Sequence, residues 1–324
     1  MKMLALETEK LTKDYAVGFW RPRPYRALDN LSLQVEPNEV FGFLGPNGAG
    51  KTTTLKLLTE LIYPSSGRIS VLGKAPGHPD VRRRVGFLPE APYFYDYLTA
   101  EELLTYFAGL FGLRGAARRR RVSSLLDRVG IAGERRLPLR KYSKGMLQRV
   151  GLAQALINEP DLVFLDEPMS GLDPLGRRDV RALILELRDR GCTVFFSSHI
   201  LSDAEALCSR VAIVVGGQLV TAGRLSEILA FEVSGWELVM ADLAPEVVEA
   251  LGTAVRTVTR ISEGRYTIEV ASDAEPERLV ARLRSAGGRF VSLNPVRTTL
   301  EDYFVQQVTA RQATPPPGRV MSEG

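Results

Sequence analysis

The chain has 324 residues, 45% hydrophobic and 25% charged, with a formal net charge of +4. That is the composition of an ordinary folded protein, with length enough for two domains. No stretch approaches the roughly 20 uninterrupted apolar residues that cross a bilayer. Met1-Lys2-Met3-Leu4-Ala5-Leu6-Glu7 meets charge too early for a signal peptide. Cys192 and Cys208 lack metal or redox spacing and read as reduced thiols of a cytosolic protein. With only His78 and His199, a histidine-rich metal site is excluded.

Residues 4–44 alternate as strands do, interrupted by Gly18-Phe19-Trp20-Arg21-Pro22-Arg23-Pro24, whose glycine and two prolines predict an exposed loop. The apolar run Val40-Phe41-Gly42-Phe43-Leu44 leads into Gly45-Pro46-Asn47-Gly48-Ala49-Gly50-Lys51-Thr52. This is a complete G-x-x-x-x-G-K-[ST] phosphate-binding loop, and a helical stretch from Thr53 to Leu61 follows it. Strand, glycine turn and helix start together aim backbone N–H groups at an anion. Lys51 is placed to reach the β- and γ-phosphates of a nucleotide and Thr52 to hold Mg²⁺, with Thr53 beside it.

Farther on, 68–72 and 85–88 predict short strands, and 99–130 switch to helical spacing, with Leu103, Leu104, Phe107, Leu125, Leu126 and Val129 on apolar faces. Leu162-Val163-Phe164-Leu165 is a continuous apolar run of the kind a buried parallel strand shows. A helix over 180–187, a strand over 193–196 and further alternation to Val215 complete an α/β domain, 1–224, with a largely parallel sheet. Strands at 236–240, 255–261, 266–270 and 289–293 and helices at 245–251 and 275–283 give a second domain, 225–310, in the βαββαβ order of a ferredoxin-like α+β fold. A last helix is expected over 300–308, and residues 311–324, with prolines at 315–317, as a disordered tail.

Charge is uneven. Residues 1–224 carry 32 Lys and Arg against 24 Asp and Glu, and residues 225–324 carry 10 against 14. The clusters Arg82-Arg83-Arg84 and Arg118 to Arg121 read either as a solvated helix face or as a contact for anionic lipid or an acidic partner loop. No recognised nucleic-acid module accompanies them, so nucleic acid is not an expected partner.

The run 162–165 ends in Asp166-Glu167-Pro168, a Walker B strand that puts Asp166 in reach of Mg²⁺ and Glu167 in place to polarise a water as general base. Before it lies Tyr142-Ser143-Lys144-Gly145-Met146. Here the chain resembles the ATP-binding subunits of ATP-binding cassette (ABC) transporters, whose signature is L-S-G-G-Q. Ser143 and Gly145 match, whereas Lys144 and Met146 depart from it.

The resemblance implies that Ser143 and Gly145 bind the γ-phosphate held by a second copy. It implies that Ser170-Gly171-Leu172-Asp173 is the D-loop, with Asp173 near the nucleotide. Ser197-Ser198-His199 looks like the switch segment, with His199 on the γ-phosphate, and Tyr15 matches the aromatic that stacks on adenine. Glu90, in Gly86-Phe87-Leu88-Pro89-Glu90, stands where the family usually has the glutamine linking nucleotide, Mg²⁺ and transmembrane partner. Tyr93-Phe94-Tyr95-Asp96-Tyr97 reads as core packing or as a groove for a cytosolic helix of that partner. The signature variant, Glu90 and Leu300-Glu301-Asp302-Tyr303-Phe304 look like the ABC-2 subgroup, commonly exporters.

The implied protein is a P-loop ATPase with ATP and Mg²⁺ as cofactors, a head-to-tail homodimer on the cytoplasmic face of a membrane, bound to a separately encoded permease. Its weakest rival is a soluble ABC ATPase of translation or DNA repair. Translation members carry tandem cassettes, and this chain has one phosphate loop. Repair members insert a long coiled coil, and here only 92 positions separate Lys51 from Ser143, without sustained heptads.

Overall fold

The structure, a computed structural model, describes residues 3–18, 20, 23–229, 233–252, 255–273, 275–297 and 299–305. The chain divides into two compact units, Met1–Leu225 and Ser226–Gly324.

The first unit holds two sheets. Strands β1 (Leu6–Val17), β2 (Arg23–Val35) and β4 (Ser66–Val71) form an antiparallel sheet of order β2-β1-β4. β3 (Val40–Leu44), β5 (Val85–Leu88), β6 (Leu162–Asp166), β7 (Thr193–Ser198), β8 (Arg210–Val215) and β9 (Gln218–Arg224) form the other, of order β5-β6-β7-β3-β8-β9. All neighbours are parallel except β8 and β9. Every residue of β3, β6 and β7 is buried, as continuous apolar strands covered on both faces should be. Phe41, Phe43, Phe164 and Phe195 meet in the core, Phe41 and Phe195 stacked with centroids 5.6 Å apart.

Between the strands run α1 (Lys51–Leu58), α2 (Pro79–Arg84), α3 (Ala100–Leu110), α4 (Gly115–Arg128), α5 (Lys144–Ala155), α6 (Pro174–Asp189) and α7 (Leu201–Leu207). Several of their starts follow capping chemistry. Thr99 and Glu102 make a reciprocal box at α3, Ser143 Oγ accepts Met146 N–H at α5, and Asp173 caps α6 with Pro174 behind it.

Three expectations shift. The proline-bearing loop is shorter than predicted, because β2 already begins at Arg23 and Pro24 pairs with Ala16 at an edge that tolerates a missing N–H; Phe19, Arg21 and Pro22 lie outside the described residues. The first helix begins at Lys51 and ends at Leu58, since Glu60 takes the left-handed conformation (φ 55°). The separate antiparallel sheet and β9 went unforeseen: β1 pairs with the distant β4, which local alternation does not encode, whereas the Gly216-Gly217 turn that folds β9 back on β8 is a local hairpin signal left unread.

The second unit follows α8 (Leu225–Ile228) with β10 (Val233–Ala241), α9 (Pro245–Glu249), β11 (Thr257–Ser262), β12 (Arg265–Ala271), α10 (Pro276–Ser285) and β13 (Arg289–Arg297). Its four strands are antiparallel in the order β11-β12-β10-β13. Leu238, Met240, Tyr266, Ile268 and Leu283 are buried together. The expected final helix is described over 300–305; its remainder to 308 and the expected tail lie outside the described residues.

Candidate functional site

Three adjacent strands, β6, β7 and β3, bring the chemistry together. Because they are parallel, their C-terminal ends lie side by side, and ligands of open α/β sheets bind there. The phosphate loop leaves β3, Asp166 and Glu167 leave β6, and Ser197-Ser198-His199 closes β7.

The loop needs its glycines. A Cβ on Gly45 would lie 2.2 Å from Val214 O, and Gly50 has φ 98° with Ala27 O 2.7 Å from where its Cβ would stand. Lys51 is buried, its Nζ donating to Gly45 O (2.8 Å) and Pro46 O (3.2 Å) and lying 3.3 Å from Glu167 Oε1. Phosphate oxygens are stronger acceptors for an ammonium than these carbonyls. Ala49 turns its side chain into the core and its N–H to Pro46 O (3.2 Å), so it shapes the loop.

Asp166 is buried. Ser197 Oγ donates to its Oδ1 at 2.6 Å, while Oδ2 has no hydrogen-bond partner. Burial pushes its carboxyl above the usual value; the Ser197 and Thr52 hydroxyls pull the other way, the nearby Glu90 charge raises it, and Lys51 lowers it. A carboxylate with one unpartnered buried oxygen beside a threonine hydroxyl is a hard-oxygen donor set that fits Mg²⁺.

Glu167 takes the left-handed conformation (φ 49°), at a cost on the order of 1–3 kcal/mol for a non-glycine residue. Its N–H donates to Ser197 Oγ (3.0 Å), and its Oε2 lies 2.9 Å from His199 Nδ1. An ionised carboxylate only accepts, so in that pair the proton sits on Nδ1.

A pocket of about 330 Å³ opens over this centre, lined by Tyr15, Tyr25, Ala27, Asn47, Gly48, Gly50, Lys51, Thr52, Thr53, Glu90 and Glu167. The predicted Tyr15, loop residues, Glu90 and Glu167 are thus brought to one place. Tyr25, opposite Tyr15 in the β1–β2 pairing, was missed; its distance in sequence from the loop gave no signal. Ser197 enters the sequence reading only within the switch tripeptide, and Gln148 of α5 was missed. Ser143, Gly145 and Asp173 do not line this pocket. Ser143 is exposed at the start of α5, Gly145 lies against Leu172, and Asp173 Oδ1 accepts Gly176 N–H (2.8 Å) as a helix cap.

Elsewhere on this unit, Tyr93, Tyr95 and Tyr97 are exposed, Tyr93 by 95%, which removes the core-packing reading. The arginine clusters divide. Arg83 and Arg120 are solvent-facing, whereas Arg121 is half-buried, its Nε donating to Ile157 O (3.1 Å) and its Nη2 to Leu156 O.

A family model described as ABC transporter matches residues 28–170. An ABC transporter ATP-binding protein of Synechocystis, sll0415, is 46% identical over 314 residues, 95% of this chain and 86% of that protein. The fluoroquinolones export ATP-binding protein of Mycobacterium tuberculosis is 42% identical over 196 residues, 60% of this chain and 64% of that one. Among solved structures, the dimeric, post-hydrolysis ATP-binding cassette MJ0796 bound to ADP and Pi superposes with a TM-score of 0.62 at 26% identity, covering 68% of this chain and 98% of its own.

Proposed function

The chain belongs to the ATP-binding subunits of ABC transporters, and from that premise we propose how its residues run the cycle. It is an ATPase whose hydrolysis drives transport. Lys51 and the loop N–H groups hold the phosphates, and Tyr15, with Tyr25 across from it, offers an aromatic face to the base. Glu167 takes the proton of the attacking water, and His199, whose Nδ1 lies 2.9 Å from Glu167 Oε2, fixes the carboxylate's orientation beside the γ-phosphate. Thr52 and Asp166, with Glu90 at the rim, would hold Mg²⁺, which when bound neutralises phosphate charge.

Ser143, exposed, and Gly145, partly so, lie outside their own chain's pocket and serve the nucleotide of a second copy arranged head to tail. ATP then joins the two copies, and hydrolysis releases them. The dimer of MJ0796 supports this arrangement. The observation that carries the reading is Lys51 paired with Glu167 at 3.3 Å, under a pocket that also reaches Tyr15 and Glu90.

The mechanical output goes to a separately encoded membrane permease, at the cytoplasmic face. Exposed Tyr93, Tyr95 and Tyr97 support docking of its cytosolic segment, since aromatics dominate such interfaces. So does a groove of about 1010 Å³, where exposed Leu110 and Phe111 sit among Arg82, Arg83 and Arg120. The ABC-2 subgroup and an exporting direction follow the motif variants and the name of the mycobacterial relative. The second unit's strand order supports a ferredoxin-like fold.

Purification of the tagged chain from native membranes in mild detergent tests the transporter assembly. A multi-span membrane protein is expected in stoichiometric amount. Recovery with ribosomal or DNA-bound partners instead would favour the soluble-ATPase alternative.

A further inference from the structure

We propose that Gln148 is a positioning residue for hydrolysis, tying the helix that begins at Ser143 to the main chain of Glu167. Gln148 is 1% exposed, which for a primary amide is costly unless the amide is bonded. Its Nε2 donates to two successive carbonyls, Pro168 O (3.3 Å) and Glu167 O (3.5 Å). Those carbonyls are Glu167's own and the next one along the chain, and Glu167 is the one non-glycine residue of the site whose backbone is left-handed and whose carboxylate is needed at a defined place.

Glu167 is therefore gripped from two sides. On one side its N–H is taken by Ser197 Oγ, which is also bonded to Asp166. On the other, its carbonyl receives Ser170 N–H (3.0 Å) and the Gln148 amide. A left-handed glutamate lies uphill of an ordinary backbone and persists only where neighbours over-determine it. Ser197 and Ser170 are close in fold or sequence to the strand end itself. Gln148 alone of the three comes from a helix.

That helix matters for a second reason. Ser143 and Gln148 are five positions apart on α5, about 7.5 Å along the axis at 1.5 Å per residue. In the head-to-tail reading, on which this step rests, Ser143 meets the second copy's phosphate. A rigid turn and a half of helix then connects that contact to the carbonyl of this copy's own general base. Seating of the signature in one site and orientation of Glu167 in the other become one mechanical event.

Gln148→Met keeps the volume and removes the amide. With the full-length chain and Mg·ATP, the variant should lose kcat on the order of 100-fold, the scale of a displaced catalytic group. Binding of a fluorescent ATP analogue and the melting temperature should stay close to the parent's. In a Glu167→Gln background the same substitution should change residual turnover little, because the group it positions is already gone. Gln148→Glu, which keeps shape and solubility but turns an acceptor toward the two carbonyls, carries the test if the methionine variant does not fold.

Parent-like kcat in a folded variant would overturn the proposal. So would an equal fold-loss with and without Glu167, or a parallel loss of nucleotide binding. Absence of ATPase in the parent chain would instead sink the catalytic assignments above, so the two failures are distinguishable.

Discussion

The two units bury their side chains on opposite terms. In the second unit the described core is Leu238, Met240, Leu243, Val248, Leu251, Tyr266, Ile268, Val270 and Leu283, with no buried charge among the described residues. The first unit buries Lys51, Asp166, Glu167, Gln148 and Asp203. Buried ions are expensive unless paired and bonded, and here they are incompletely so, with Asp166 Oδ2 and Asp203 Oδ2 left without partners. The difference teaches where the free energy of the fold has been diverted. One unit is built on apolar packing, and the other tolerates strain at Glu167 and the unsatisfied oxygen of Asp166 because the site uses them.

The sharpest way to test that contrast is to remove polar groups from the first unit and follow activity. Glu167→Gln should lower kcat by about 10²–10⁴-fold, the usual worth of a general base, while retaining nucleotide and trapping an ATP-bound dimer on size-exclusion chromatography. Turnover at the parent rate would mean that another group activates the water. Lys51→Ala should weaken ATP binding itself, by on the order of 10²–10³-fold for a lost preorganised cation, with no trapped dimer. Equilibrium binding separates the two: if both variants lose nucleotide alike, the Lys51–Glu167 pair acts as a single structural unit.

The opposite substitution probes the second unit. Leu238→Ala removes a fully buried side chain and should cost about 2–5 kcal/mol. The readout is Trp236, which packs partly buried against this core. Its fluorescence transition should move to lower denaturant. Labelling of Cys192 and Cys208, both in the first unit, should not accelerate. Both thiols are buried, and burial raises their pKa, that of Cys192 to about 12, so they react chiefly after opening. Faster labelling in Leu238→Ala would show that the units unfold together and that the contrast does not extend to stability.

Much of the first unit's chemistry was legible, because a phosphate loop and an acidic strand end are local in sequence. Gly45 to Thr52 and Leu162 to Glu167 each announce a complete strand-to-loop transition. What connects them was not legible. Nothing local predicts that Ser197 bridges Asp166 and Glu167, that Gln148 reaches over to Pro168, or that Tyr25 faces the nucleotide pocket opposite Tyr15. These contacts depend on strand order and helix packing, which period and propensity leave open. Asp173 illustrates the reverse case: its letter fits the D-loop, yet its carboxylate is spent on capping α6. The second unit reads well element by element, since strands such as β12 alternate buried and more exposed residues along their length.

The smallest effect is expected at the buried pair outside the catalytic centre. Asp203, 1% exposed on α7, accepts from Arg181 of α6 through both Nε (3.2 Å) and Nη2. Cutting a buried pair is severe when the surviving charge stays buried. In Asp203→Asn the survivor is Arg181, whose side chain is 36% exposed and can turn to water. The loss should therefore stay near about 1–3 kcal/mol, that of a charged hydrogen bond. Faster labelling of Cys208, which caps the C-terminus of α7, measures it. Because α7 begins two residues after His199, kcat should fall by a few-fold through a less fixed imidazole, with the loss following the loosening of α7. A variant that labels at the parent rate yet loses activity would show that Asp203 reaches the catalytic centre by some route other than the helix it anchors.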